Sequence, residues 1–243
     1  MLEAREIIKD FGGHRALNRV SLRVNKGDFI GLIGPNGSGK TTFFNVISGH
    51  LNCTSGRILF EGRDITDLSA DRACHLGIAR TFQIPRPFKS MNVLENVMVA
   101  ALFGRGHPLR SDEELKQKAL EYIHFVGMED DPEQTTPMEL TAGNLRRLEI
   151  ARALATKPKL LLVDECMSGL NPEEIVKASS ILKRIHDEKE ITIIWVEHVL
   201  SAIMNLVQRM FVLDYGEVIA EGEPSAIAKD EKVIKAYIGE KRT

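Results

Sequence analysis

Phe29-Ile-Gly-Leu-Ile33-Gly34-Pro-Asn-Gly-Ser-Gly39-Lys40-Thr41 is the stretch on which the fold turns. The apolar run Phe29 to Ile33 reads as a buried strand, and Thr41 to Ser48 sets Phe43, Val46 and Ile47 at helical spacing. Between them, Gly34 to Thr41 matches G-x-x-x-x-G-K-[ST] in the strand, loop, helix context that gives the pattern its meaning. Chance alone produces such a match in roughly one chain in a hundred of this length. Gly34, Gly37 and Gly39 let the backbone curl until its N–H groups face a phosphate, and the helix N-terminus adds positive potential. Lys40 is expected to reach the β- and γ-phosphates and the Thr41 hydroxyl to ligate Mg2+. Pro35, Asn36, Ser38 and Thr42 complete the residues expected around ATP.

Such a loop needs an acid to orient the metal. Leu160-Leu-Leu-Val163-Asp164-Glu165 supplies it: an apolar run short enough for a buried parallel strand, ending in two carboxylates. The C-terminal end of a strand is where α/β sheets hold ligands. Asp164 is read as the residue that orients Mg2+ or its waters, and Glu165 as the acceptor of a proton from attacking water. By contrast, Asn25-Lys-Gly-Asp28 spells N-K-x-D but precedes the phosphate loop, so it is a turn between strands and not a guanine reader.

Outward from these stretches, Val20, Leu22 and Val24 alternate with Ser21 and Arg23 at the period of a half-buried strand. From about 89 to 157 the pattern is mostly helical, with connectors at Gly104-Arg-Gly-His-Pro108 and Asp130-Asp-Pro132. Leu145, Leu148, Ala151 and Ala155 recur at helical spacing. Asn171 caps the next helix, with Pro172 first and Glu174 in capping-box position, and Ile175, Ala178, Leu182 and Ile185 form its stripe. Ile191 to Val196 is a further buried strand. The layout suggests an α/β nucleotide-binding core interrupted by a helical insertion, which resembles a P-loop NTPase (RecA-like) core with N-terminal antiparallel β-strands and an inserted α-helical subdomain. It reads as one domain over 1–243, with its core at 1–88 and 158–243 and the helical subdomain at about 89–157.

Composition bounds the partners. The chain has 243 residues, 32 Lys plus Arg against 34 Asp plus Glu, and a formal charge of −2, which argues against nucleic acid as a partner. No apolar run reaches the ~18 residues of a membrane span, and Glu3, Arg5 and Glu6 follow Met1 with no apolar stretch behind them. Cys53, Cys74 and Cys166 are odd in number and widely spaced, which fits neither a disulfide framework nor a zinc site.

Taken together, the motifs resemble those of the ATP-binding cassette (ABC) ATPases, in family order and over essentially the whole chain. Gln83, after Ile78-Ala-Arg-Thr-Phe82, resembles the Q-loop glutamine that senses Mg2+ and the γ-phosphate. Leu140-Thr-Ala-Gly143-Asn144, continued by Arg146-Arg-Leu-Glu-Ile-Ala-Arg-Ala-Leu154, resembles the signature sequence. Ser168-Gly-Leu-Asn171 resembles the D-loop, and His198 the switch histidine at the γ-phosphate. Phe11 stands where an aromatic stacks on adenine. The resemblance thus implies Glu165, His198, Lys40 and Gln83 as catalytic, Thr141, Gly143 and Asn144 as nucleotide-binding, and Thr41, Gln83 and Asp164 at the metal.

Three positions depart from the family pattern. Thr141 replaces Ser and keeps a hydroxyl, Asn144 replaces Gln and is one methylene shorter, and Cys166 replaces the usual Pro after the glutamate, relaxing a φ constraint. Phe11-Gly-Gly-His-Arg-Ala-Leu17, Gly77 to Phe88, Val93-Leu-Glu-Asn-Val97 and Val233 to Gly239 look like the ATP-binding subunits of branched-chain amino acid importers, the longer of that system's two ATPases in particular. Pro85 and Pro87 are expected to stiffen the segment after Gln83.

The resemblance implies two cassettes packed head to tail, each ATP held between one chain's phosphate loop and the other's signature helix, which is expected to begin near Asn144. The implied partners are transmembrane permease subunits and a second ATP-binding subunit, identical or homologous. The implied location is cytoplasmic, on the inner face of the membrane. Two alternatives share these residues: the same role in a urea or short-amide importer, and a soluble ABC ATPase outside transport.

Overall fold

The computed structural model describes residues 1–106, 111–198 and 200–238; His107 and Pro108 of the connector and Gly239 of the C-terminal stretch lie outside the described residues. The backbone forms two compact units, Met1–Ala73 with Thr192–Thr243, and Cys74–Ile191. The helical stretch expected at 89–157 falls within the second.

The first unit opens with β1 (Leu2–Phe11), β2 (His14–Val24), β3 (Phe29–Ile33), α1 (Lys40–Ile47), β4 (Ser55–Phe60) and β5 (Arg63–Asp64). Four of these strands make an antiparallel sheet in the order β2-β1-β4-β5. Along β2, Val20, Leu22 and Val24 are buried while Ser21 and Arg23 are exposed, as the alternation requires. After α2 (Ala70–Leu76) the chain runs through the second unit, as β6 (Ile78–Arg80), α3 (Val93–Leu102), α4 (Asp112–Phe125), α5 (Ala142–Ala155), β7 (Leu160–Asp164) and α6 (Pro172–Lys189). It returns to the first as β8 (Thr192–Val196), α7 (Leu200–Met204), β9 (Arg209–Asp214), β10 (Glu217–Gly222), α8 (Pro224–Ile227) and α9 (Glu231–Ile238).

In the first unit β3 lies between β8 and β9, parallel to both, and β10 runs antiparallel to β9. All five residues of β3 and all five of β8 are buried, because both faces of a parallel strand are covered. The Phe29 and Trp195 rings meet with centroids 5.9 Å apart.

In the second unit β6 pairs in parallel with β7, Arg80 opposite Leu162. The helices α3, α4 and α5 pack on one another, burying Val97, Ala119, Ile123, Leu148 and Ala151. Each start is capped as its sequence dictates: Asn92 with Glu95 at α3, Ser111 at α4, and Asn171 with Glu174 behind Pro172 at α6.

Candidate functional site

The phosphate loop connects β3 to α1. Gly39 precedes α1 with φ +107° and, having no side chain, makes no capping hydrogen bond, so a helix N-terminus without a side-chain cap opens on the loop. Glycine is required there: a Cβ on Gly39 would stand 2.6 Å from the Ala16 carbonyl oxygen and 2.9 Å from Leu17 Cδ2. The loop is tied from outside as well, since the Gly216 N–H donates to the Ser38 carbonyl at 2.9 Å. Lys40, 5% exposed, folds back along the loop and donates from Nζ to the Gly34 and Pro35 carbonyls at 2.8 and 2.9 Å. Asn36, Gly37 and Thr41 are exposed, while Pro35 and Thr42 are half-buried and Ser38 is buried.

Two further residues read from the sequence belong to this unit. Phe11 ends β1 and is 47% exposed, with the Lys9 ammonium 5.0 Å from the ring centre. His198 stands two residues beyond β8, exposed; its backbone N–H donates to its neighbour's carboxylate, Glu197 Oε2, at 2.9 Å. At the other end of the chain, Tyr237 of α9 meets the Gly34 N–H: burial raises its phenol above the usual value and that hydrogen bond draws it back.

The carboxylates lie in the second unit. Asp164, the last residue of β7, is 1% exposed. Its backbone N–H donates to the Thr81 hydroxyl at 3.1 Å, and its Oδ2 accepts from Arg80 Nη2 at 2.7 Å. Glu165 is buried with φ +44°, a left-handed turn that swings the chain off the strand end. Gln83 donates from Nε2 to Glu165 Oε2 at 2.6 Å, so the structure brings together two residues separated by 82 positions.

The signature helix starts at Ala142 and not near Asn144, as read from the sequence. The reason is local: the Thr141 hydroxyl accepts from the Asn144 N–H at 3.2 Å and caps α5 two residues earlier. Asn144 donates from Nδ2 to Asp130 Oδ2 at 2.7 Å. Gly143 borders a hollow of about 210 Å³, and a Cβ on it would stand 2.7 Å from Glu174 Oε1.

Sequence reasoning overlooked a set of charged residues on α5. Arg146 donates to the Phe82 and Gln83 carbonyls at 2.9 and 2.5 Å. Glu149 Oε1 accepts from the Phe82 N–H at 2.8 Å, and Arg152 donates to the Arg86 carbonyl at 2.7 Å. Burial lifts the Glu149 carboxyl to about 7, against the opposing pull of the Phe82 N–H, Arg146 and Arg152. The signal was present in the three-residue spacing of Arg146, Glu149 and Arg152 beside the apolar stripe.

The donors expected at a metal are a hydroxyl, an amide and one carboxylate, from Thr41, Gln83 and Asp164. This is oxygen chemistry that suits Mg2+. No cluster of three or more His, Cys, Asp or Glu able to hold a metal exists among the described residues.

A glycine loop opening an uncapped helix, a carboxylate pair ending a buried parallel strand and a capped signature helix define a nucleotide-binding cassette. The chain belongs to the ABC transporter family, whose description its residues 17–168 match. Residues 217–242 match the family described as "Branched-chain amino acid ATP-binding cassette transporter". The probable branched-chain amino acid transport ATP-binding protein LivG of Archaeoglobus fulgidus is 39% identical, over 98% of this chain and 95% of its own. Among solved structures, the ADP conformation of MJ1267, an ATP-binding cassette of an ABC transporter, aligns with a TM-score of 0.89 at 37% identity over 99% of both chains. The dimeric post-hydrolysis state of the cassette MJ0796, bound to ADP and Pi, aligns with a TM-score of 0.84 at 28% identity, over 92% of this chain and 99% of its own.

Proposed function

We propose that the chain is the ATP-hydrolysing subunit of an importer for branched-chain amino acids. It works on the cytoplasmic face of the membrane against permease subunits, paired with a second ATP-binding subunit. The observation that carries the reading is the phosphate loop, where Gly39 sets a left-handed turn at the head of α1 without a side-chain cap and Lys40 lies along the loop. That arrangement suits the triphosphate of ATP. The cargo reading rests on the match of residues 217–242 and on the LivG relative. No helix among the described residues is long and apolar enough to cross a membrane.

In this reading Lys40 and the loop from Gly34 to Thr42 hold the β- and γ-phosphates, and Phe11 stacks on adenine. Thr141, Gly143 and Asn144 address the nucleotide of the paired subunit. Glu165 accepts the proton of the attacking water, Gln83 and His198 fix that water and the γ-phosphate, and Thr41, Gln83 and Asp164 hold Mg2+. When bound, Mg2+ supplies charge neutralisation at the phosphate oxygens. Glu165 suits the task as a buried carboxylate at the C-terminal end of a strand, in contact with the Gln83 amide.

The test is Glu165→Gln in the purified chain, which should form an ATP-dependent dimer and lose turnover. A monomer under saturating ATP and Mg2+, both alone and with its paired subunit, would sink the mechanism. For the cargo, vesicles carrying the complete transporter should take up labelled leucine in an ATP-dependent manner; uptake of urea in its place would overturn that part alone.

A further inference from the structure

The proposed function uses the first turn of α5 and the pair Gln83 and Glu165, but gives no reason for the helix to bury charge. Arg146 and Glu149 are each 7% exposed. Charge in such a place is costly unless it is paired and hydrogen-bonded. Here the partners are the backbone of one extended segment. Glu149 takes the Phe82 N–H, Arg146 takes the Phe82 and Gln83 carbonyls, and Arg152 takes the Arg86 carbonyl. The Arg152 guanidinium also lies 4.9 Å from the centre of the Phe88 ring.

The far end of the segment is fastened separately. Asn96, 0% exposed, accepts from the Phe88 N–H at 2.8 Å and donates to the Phe88 carbonyl at 3.0 Å. Between these anchors Pro85 and Pro87 fix φ, and they restrict the residues before them. The segment is therefore held at both ends and stiff in the middle, although Ile84 is 73% exposed. At its head the Gln83 amide is on Glu165 Oε2 at 2.6 Å.

We propose that Arg146 is a positioning residue that makes residues 82–88 a splinted extension of α5, so that displacement of the helix start is delivered to the Gln83 amide and the Glu165 carboxylate of the same chain. The proposal rests on the functional reading above. In a pair of cassettes the start of α5 meets the nucleotide of the other chain, and through Arg146 the loading of one site adjusts the base of the second. A hydrophobic core helix would pack as well but would give Gln83 no mechanical link. Arginine suits the role because its planar fork serves two carbonyls at once.

The experiment compares the full chain with Arg146→Met and Arg146→Lys by amide hydrogen exchange and by steady-state ATP turnover with the paired subunit present. Arg146→Met should raise exchange over residues 82–88 by about tenfold or more while α3 and β7 keep wild-type protection. Its kcat should fall about tenfold with KM for ATP within about twofold, and its Hill coefficient for ATP should drop toward one. Arg146→Lys, which keeps the charge but lacks the planar fork that fits the two carbonyls together, should recover part of each effect. Wild-type exchange over 82–88 in Arg146→Met would overturn the proposal, as would kcat, KM and melting temperature falling together in both variants. Should Arg146→Met fail to fold, Arg146→Lys alone decides: wild-type behaviour in both readouts overturns the proposal, and local exchange with reduced kcat upholds it. A wild-type chain without ATP turnover would instead refute the functional reading and the link to Glu165, while exchange still decides whether the splint exists.

Discussion

Arg80 and Asp164 form an ion pair of 2.7 Å in which the two side chains are only 5% and 2% exposed. The pair joins the ends of β6 and β7, and the Arg80 guanidinium also lies 5.1 Å from the centre of the Phe82 ring. Removing one partner of a buried pair leaves the other charge uncompensated. Arg80→Met should therefore destabilise the chain by about 3–5 kcal/mol in urea unfolding. Adding Asp164→Asn should restore a large part of that loss. A single variant within about 0.5 kcal/mol of wild type would refute the importance given to the pair.

Glu149 makes stability depend on pH in a defined direction. Its carboxyl, raised by burial to about 7 in the fold, titrates near 4.5 when unfolded, so between those values the folded chain holds a proton that the unfolded chain has released. Its contribution is present below about 4.5 and is lost as pH rises through about 7, on the order of 3 kcal/mol in all. Relative to Glu149→Gln, which keeps an acceptor for the Phe82 N–H, the wild type should lose stability from pH 5 to pH 8. Parallel stability curves for the two proteins would contradict this.

Gly37 and Gly39 should respond differently to alanine although both have positive φ, +80° and +107°. A Cβ on Gly37 meets nothing within 4 Å, whereas one on Gly39 runs into the Ala16 carbonyl at 2.6 Å. Gly37→Ala should cost about 1 kcal/mol of backbone strain. Gly39→Ala should cost at least about twice that and weaken binding of a fluorescent ATP analogue more than about tenfold, because the loop must move. Equal losses at the two positions would show that φ alone governs the loop.

Gly143→Ala presses on the Glu174 carboxylate at 2.7 Å, and Glu174 Oε2 is the acceptor for the Asn171 N–H that closes the α6 capping box. The side chain can yield, so the expected loss is only about 1 kcal/mol, that of a cap. ATP-dependent pairing of the subunits, followed by size-exclusion chromatography, should be lost nonetheless. A variant that pairs normally would remove Gly143 from the interface assigned to it.

What was legible in the sequence was local. The phosphate loop, the fully apolar strands β3 and β7 and the Asn171, Pro172, Glu174 start of α6 each declare themselves within a dozen residues, because periodicity and capping act at short range. The start of α5 lies two residues before the expected Asn144 because the Thr141 hydroxyl serves as its cap. The Arg80–Asp164 pair spans 84 positions and the Arg146 grip on Gln83 spans 63. Such contacts depend on which strand lies beside which helix, and no spacing rule encodes that. Departures from the motif were visible as letters only; that Asn144 would find Asp130 needed the fold.

The charged stripe of α5 sets the helix against its own robustness. Replacing a buried ion pair with well-packed apolar residues often stabilises a protein by about 1–4 kcal/mol, and Arg146 with Glu149 is such a pair, 3.5 Å apart. A laboratory selection for heat resistance alone would thus favour leucine or methionine at these positions and yield sturdier proteins whose two ATP sites no longer consult one another.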